Sequence, residues 1–91
     1  MDDAGAVSIW PNPNNGDQLF IGIDDIGEEV STASVDILDV FGKRVMSEQV
    51  PVDGNSFNTV LDLKNQLSDG LYVVTITAGD RTFTQRLVIA K

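Results

Sequence analysis

Apolar and polar residues alternate with a period of two along most of this chain, as in Tyr72-Val73-Val74-Thr75-Ile76-Thr77. Successive side chains on an extended strand point to opposite faces, so the pattern buries one face of a sheet and wets the other. No window of about 11 residues carries a helical stripe. The chain therefore reads as all-β, with strands at about Val7–Trp10, Gln18–Ile23, Ala33–Asp39, Arg44–Gln49, Ser56–Leu61, Gly70–Thr77 and Arg81–Ala90.

The segments between these strands carry specific turn chemistry. In Asp39-Val40-Phe41-Gly42 the aspartate stands first and the glycine fourth, the preference of a type I turn in which the carboxylate accepts backbone N–H bonds. The third and fourth strands should thus form a hairpin. Ala78-Gly79-Asp80-Arg81 puts Gly79 first in a two-residue loop, where a type II′ turn needs positive φ, so the last two strands should pair directly. Asp53-Gly54-Asn55 reads as another turn. In Leu67-Ser68-Asp69-Gly70-Leu71-Tyr72 the tyrosine follows a small turn at the spacing of a tyrosine corner, whose hydroxyl bonds back to upstream backbone. About seven short strands with such a corner predict an immunoglobulin-like antiparallel β-sandwich of Greek-key type.

Strand parity then selects a core: Leu19, Ile21 and Ile23 on one strand, Val35 and Ile37 on the next, Tyr72, Val74 and Ile76, and finally Phe83, Leu87 and Ile89. Phe20 falls out of phase and points outward, and is placed under a loop in preference to a contact patch. The six aromatics, Trp10, Phe20, Phe41, Phe57, Tyr72 and Phe83, look scattered, with most on core faces.

Composition narrows the function. A chain of 91 residues suits one domain, too small for a roomy active site beside its core. Fourteen acidic against six basic residues give a net charge of −8, which repels phosphate backbones, so nucleic acid is excluded as a partner. Cysteine and histidine are both absent, which removes disulfides, the usual zinc ligands and the imidazole of most hydrolases. No catalytic residue, metal site or cofactor is expected. No apolar run approaches the roughly 20 residues that span a bilayer, so no membrane insertion is expected. Asp24, Asp25, Glu28 and Glu29 supply loop carboxylates of the kind calcium takes, but their spacing departs from the D-x-[DN]-x-[DN]-G pattern and they read as solvated acids. Residues 1–6, Met1 to Ala6, read as a start plus linker, and 7–91 as the domain.

Two segments stand apart. Ile9-Trp10-Pro11-Asn12-Pro13-Asn14-Asn15-Gly16 joins a strand to a glycine-closed turn: the prolines fix φ, and Asn14, Asn15 and Gly16 tolerate positive φ, so the backbone leaves the strand and reverses. Arg86-Leu87-Val88-Ile89-Ala90-Lys91 continues a strand pattern to the last residue, where termini ordinarily fray and where lysine blunts edge pairing.

With the Val35–Val45 hairpin and Leu67…Gly70-Leu71-Tyr72-Val73-Val74…Ile76, these segments resemble, in order and spacing, the C-terminal sorting domain of type IX secretion substrates, from Val7 to Lys91. Arg86 stands where that family often has lysine. The resemblance implies an address at the end of a cargo protein, recognised in the periplasm of a Gram-negative bacterium by the type IX translocon and carried to the cell surface or medium. A sortase-like protease then removes the domain. Recognition would use exposed strand edges and Arg86, Leu87, Val88, Ile89, Ala90 and Lys91 with its carboxylate, while Pro11, Asn12, Pro13, Gly16, Asp39, Gly42, Gly70, Tyr72 and Gly79 would serve the fold. The rival expectation is a passive immunoglobulin- or fibronectin-like module that spaces domains or binds carbohydrate or protein.

Overall fold

The computed structural model describes residues 7–23, 31–52, 57–79 and 81–91. Seven strands follow one another: β1 (Val7–Trp10), β2 (Gln18–Ile23), β3 (Thr32–Leu38), β4 (Arg44–Pro51), β5 (Phe57–Asp62), β6 (Gly70–Ala78) and β7 (Arg81–Ile89). They build a three-stranded sheet in the order β1-β2-β5 and a four-stranded sheet in the order β4-β3-β6-β7, with every strand pair antiparallel. The chain changes sheet between β2 and β3, between β4 and β5, and between β5 and β6. The expected all-β sandwich is thus present, with strand ends shifted by one or two residues. β4 runs on to Pro51 because Thr32 adds a rung opposite it, and Val52 N–H then donates to Ser31 O (2.9 Å).

The core is what the alternation requires. Leu19, Ile21, Ile23, Val35, Ile37, Tyr72, Val74, Ile76, Phe83, Leu87 and Ile89 are all buried between the sheets, joined by Val7, Ala33, Val50, Leu61, Leu63, Leu67 and Ala78. Each such side chain removed from water contributes about 1.5–3 kcal/mol for the larger aliphatics and aromatics.

Both hairpins form as their residues dictate. At the β3–β4 turn, Gly42 N–H donates to Asp39 O (3.0 Å), Asp39 N–H donates to Lys43 O (2.9 Å), and Asp39 Oδ1 accepts from the Phe41 and Lys43 N–H groups (2.9 Å each). Gly42 sits at φ 84°, the left-handed position that follows a type I turn in a three-residue hairpin loop. The register slips between Ile37 and Leu38 where this turn feeds the strand pair. Across the other hairpin Ala78 pairs with Arg81, and Gly79 has φ 66°. Tyr72 is buried and its hydroxyl donates to Ser68 O (2.9 Å), closing the expected corner. Met1–Ala6, the candidate calcium loop of Asp24, Asp25, Glu28 and Glu29, the Asp53-Gly54-Asn55 turn and Asp80 lie outside the described residues.

Candidate recognition site along the β7 edge

β7 is an edge strand, so the outward N–H and C=O groups of its last residues need partners. The Pro11–Asn14 segment supplies them. The Asn12 side chain acts as a stand-in for a neighbouring strand: its Nδ2 donates to Arg86 O (2.8 Å) and its Oδ1 accepts from Val88 N–H (3.0 Å). Two residues on, the backbone takes over, with Asn14 N–H donating to Val88 O (2.7 Å) and Ala90 N–H donating to Asn14 O (2.8 Å). Asn14 and Ile89 form a parallel bridge.

Asn14 itself is fully buried, and its amide is used completely. Nδ2 donates to Gln18 O (2.8 Å) and Pro11 O (3.2 Å), and Oδ1 accepts from Gly16 N–H (2.7 Å). Of the three residues that tolerate positive φ, Asn14, Asn15 and Gly16, only Gly16 adopts it, at φ 90°. Asn14 is present for three hydrogen bonds, and Asn15 accepts from Asp17 N–H through Oδ1 (3.0 Å).

A third segment completes the site. Lys64 and Asn65, at φ 55° and 56°, turn the chain after β5, with Lys64 N–H held by Asp62 Oδ1 (3.0 Å). Asn65 N–H then donates to Gly16 O (3.0 Å), and Leu63 N–H to Asp17 O (2.8 Å). Lys91 N–H donates to Asp69 Oδ1 (3.1 Å), and the Lys91 ammonium reaches Asn65 O at 3.4 Å. A Cβ on Gly16 would lie 3.0 Å from Lys91 Cε and 3.2 Å from Asn65 Oδ1, so this is a close three-way approach. Lys64 and Asn65 were not singled out by sequence, because positive φ at a lysine carries no compositional signal.

The six residues Arg86–Lys91 divide by parity. Leu87 and Ile89 are buried in the core, while Arg86, Val88, Ala90 and Lys91 are exposed. Val88 stands opposite Leu71 on the outer face of the larger sheet. Pro11, Asn12 and Pro13 are exposed beside them, Gly16 is buried, and Gly70 and Tyr72 begin the strand that pairs with this end of β7. The Asp39–Gly42 turn shares this pole of the sandwich. Gly79 lies at the far end of β6, away from the site.

The aromatics depart from expectation. Among the described side chains only Tyr72 and Phe83 lie in the core, whereas Trp10 is 45% and Phe41 91% exposed. Among the described residues Phe20 is met by Trp10 and not by a loop: the two pair across the strands on the outer face of the smaller sheet, their rings stacked with centroids 5.8 Å apart and planes within 12°. Trp10 also lies beside Gly22, where a Cβ would come within 3.5 Å of the indole. Parity places Phe20 outward, but its cross-strand partner Trp10 depends on the β1–β2 register and is not a local signal. Among the described residues no three metal-ligating side chains cluster, and no helix is long and apolar enough to cross a membrane.

Fold and site together define a small β-sandwich whose first turn is bonded onto its last strand. The chain belongs to the family of secretion system C-terminal sorting domains, whose model it matches over residues 8–90, and carries a type IX secretion sorting signal. That family is one of addresses for export to the cell surface or medium, and it is not an enzyme family. No curated protein matches the chain.

Proposed function

We propose that the domain is read in the periplasm by the type IX translocon through side chains displayed along β7, Arg86, Val88, Ala90 and Lys91, with Pro11 and Pro13 beside them. The observation that carries this reading is the occupied edge: Asn12 and Asn14 already bond Arg86 O, Val88 N–H, Val88 O and Ala90 N–H. A partner strand has no free groups to pair with over that stretch, so the recognisable feature is a rigid surface, basic at Arg86 and Lys91 in a chain of net charge −8. After transit a sortase-like protease removes the domain and the cargo stays on the surface or is released.

The test fuses a periplasmic reporter upstream of Val7–Lys91 in cells that carry the type IX machinery. The fusion should reach the surface or medium, and Arg86→Glu, at a side chain exposed on β7, should leave it in the periplasm with an unchanged melting temperature. Equal export without the domain, or without the machinery, would sink the reading. A tag after Lys91 blocks the same surface while leaving every core residue in place.

The Trp10–Phe20 stack gives a second reading a specific footing. A stacked, half-exposed indole is a surface on which a sugar ring packs, as a carbohydrate-binding accessory module would need. Trp10 is the sole tryptophan, so its fluorescence reports directly on added soluble polysaccharide. An unmoved spectrum at saturating polysaccharide leaves only the address.

A further inference from the structure

The seam between β1 and β7 is closed by the Asn12–Asn14 segment, whereas among the described residues no such segment covers the opposite seam, between the edges of β4 and β5. There a cleft of about 370 Å³ is lined by Met46, Val60 and Leu61, with Glu48, Asp62, Lys64 and Gln66 around them. Glu48 pairs with the buried Val35, so it occupies an inward-facing position of an edge strand. A charge there opposes the addition of another strand, which would have to desolvate the carboxylate. The cleft therefore suits an inserted apolar side chain accompanied by a cation.

The β3–β4 hairpin presents such a group. Val40 is 62% and Phe41 91% exposed, on a turn locked by four hydrogen bonds around Asp39. A Cβ added at Gly42 would meet nothing within 4 Å, so the tip stands clear of the molecule. The central positions of a type I turn accept most residues, so the turn itself does not require valine and phenylalanine. A locked aromatic loses little conformational freedom on insertion, the condition under which a small contact binds. Lys43 follows directly on the tip, and Arg44 is drawn aside to Asp36 (3.6 Å).

We propose that the occupant of the cleft is the hairpin tip of a second copy of this chain. Phe41 and Val40 seat against Met46, Val60 and Leu61, and Lys43 meets Glu48 and Asp62. Local charge complementarity selects a second copy: Lys43 beside the tip matches Glu48 and Asp62 at the cleft, and this local pairing must outweigh the mutual repulsion of two chains of net charge −8. Lys43 directly precedes β4 and Glu48 lies five residues on within it, so the two stand roughly 16 Å apart along the strand direction. Two such patches related by a two-fold axis satisfy each other twice, giving a closed dimer and not a filament. The inference is independent of the sorting reading.

Sedimentation velocity on the whole chain from about 10 μM to 1 mM should show a dimer that grows with concentration. Phe41→Ser should raise the dissociation constant at least about tenfold, as removal of an anchor does, with an unchanged circular dichroism spectrum. Lys43→Glu and Glu48→Lys should each weaken the homodimer, because one puts an acid into an acidic cleft and the other a base onto a basic one. Mixed together, the two variants should dimerise again, since both contacts of the mixed pair are then between opposite charges. A chain that stays monomeric at 1 mM, a Phe41→Ser variant that dimerises like the parent, or a mixture that stays monomeric would each overturn the proposal.

Discussion

Two asparagines two positions apart do different work with the same side chain. Asn12 is exposed and imitates a peptide unit, one donor and one acceptor at the spacing of a strand; Asn14 is buried and ties its own turn together. The energetics follow from what each leaves behind. Asn14→Ala strands the buried Gly16 N–H, at about 1–3 kcal/mol for a group left without a partner, and removes the donor from the part-buried Gln18 carbonyl at a smaller cost. Asn14→Asp should be worse at neutral pH, because it sets a carboxylate oxygen against two carbonyls. Urea midpoints are expected to fall in the order parent, Ala variant, Asp variant, and an unmoved midpoint would show that water replaces the amide. Tyr72 offers a cleaner case: Tyr72→Phe removes the bond to Ser68 O and should cost about 1 kcal/mol, while Tyr72→Ala also opens a cavity and should cost about 3–5 kcal/mol.

β7 is held on one side by the nine rungs of its ladder with β6, and on the other by a side chain followed by a loop backbone. The second side has a weak point at Asn12. In Asn12→Ala the Val88 N–H loses its acceptor and turns to solvent, so its amide hydrogen should exchange faster, while that of Ala90, bonded to Asn14 O, should keep most of its protection. Equal acceleration at both positions would mean that the segment leaves as one piece. Strands and hairpins of this kind were legible in the sequence because period-two alternation and turn residues are local signals: Leu19, Ile21, Ile23 and the Asp39–Gly42 turn could be placed from a few neighbours. The edge covering was not. Its partners lie more than 70 positions apart, and an amide that substitutes for a strand looks in sequence like any turn asparagine.

The whole molecule has a radius of gyration of 12.6 Å, close to the roughly 12 Å of a compact chain of this length. Both sheets contribute to a single buried cluster, and the site draws on the turn after β1, the loop after β5 and the end of β7. No element can leave without uncovering the others. Heating should give one cooperative transition with coincident near- and far-ultraviolet signals, and deletion of Val7–Gly16 should abolish that transition. A truncated chain that keeps a dispersed amide spectrum would show that the clasp is an accessory to an independently stable sandwich. The candidate site was legible at this scale only as two separated motifs; that they touch is a property of topology, which the periodicity of neither contains.

That contact also orders events in time. Asn12 meets Arg86 and Val88 across 74 and 76 positions, so the loop it closes spans most of the chain, and long-range closures of this kind are slow to form. During synthesis the Pro11–Asn14 segment precedes its partner and has nothing to bond until β7 follows it. A ribosomal product that stops short of Val88 would carry the opening motif in full and still lack a finished domain. Completion of β7 and completion of the clasp are in this fold a single step, so a chain interrupted before Val88 carries the motif without the contacts that hold it.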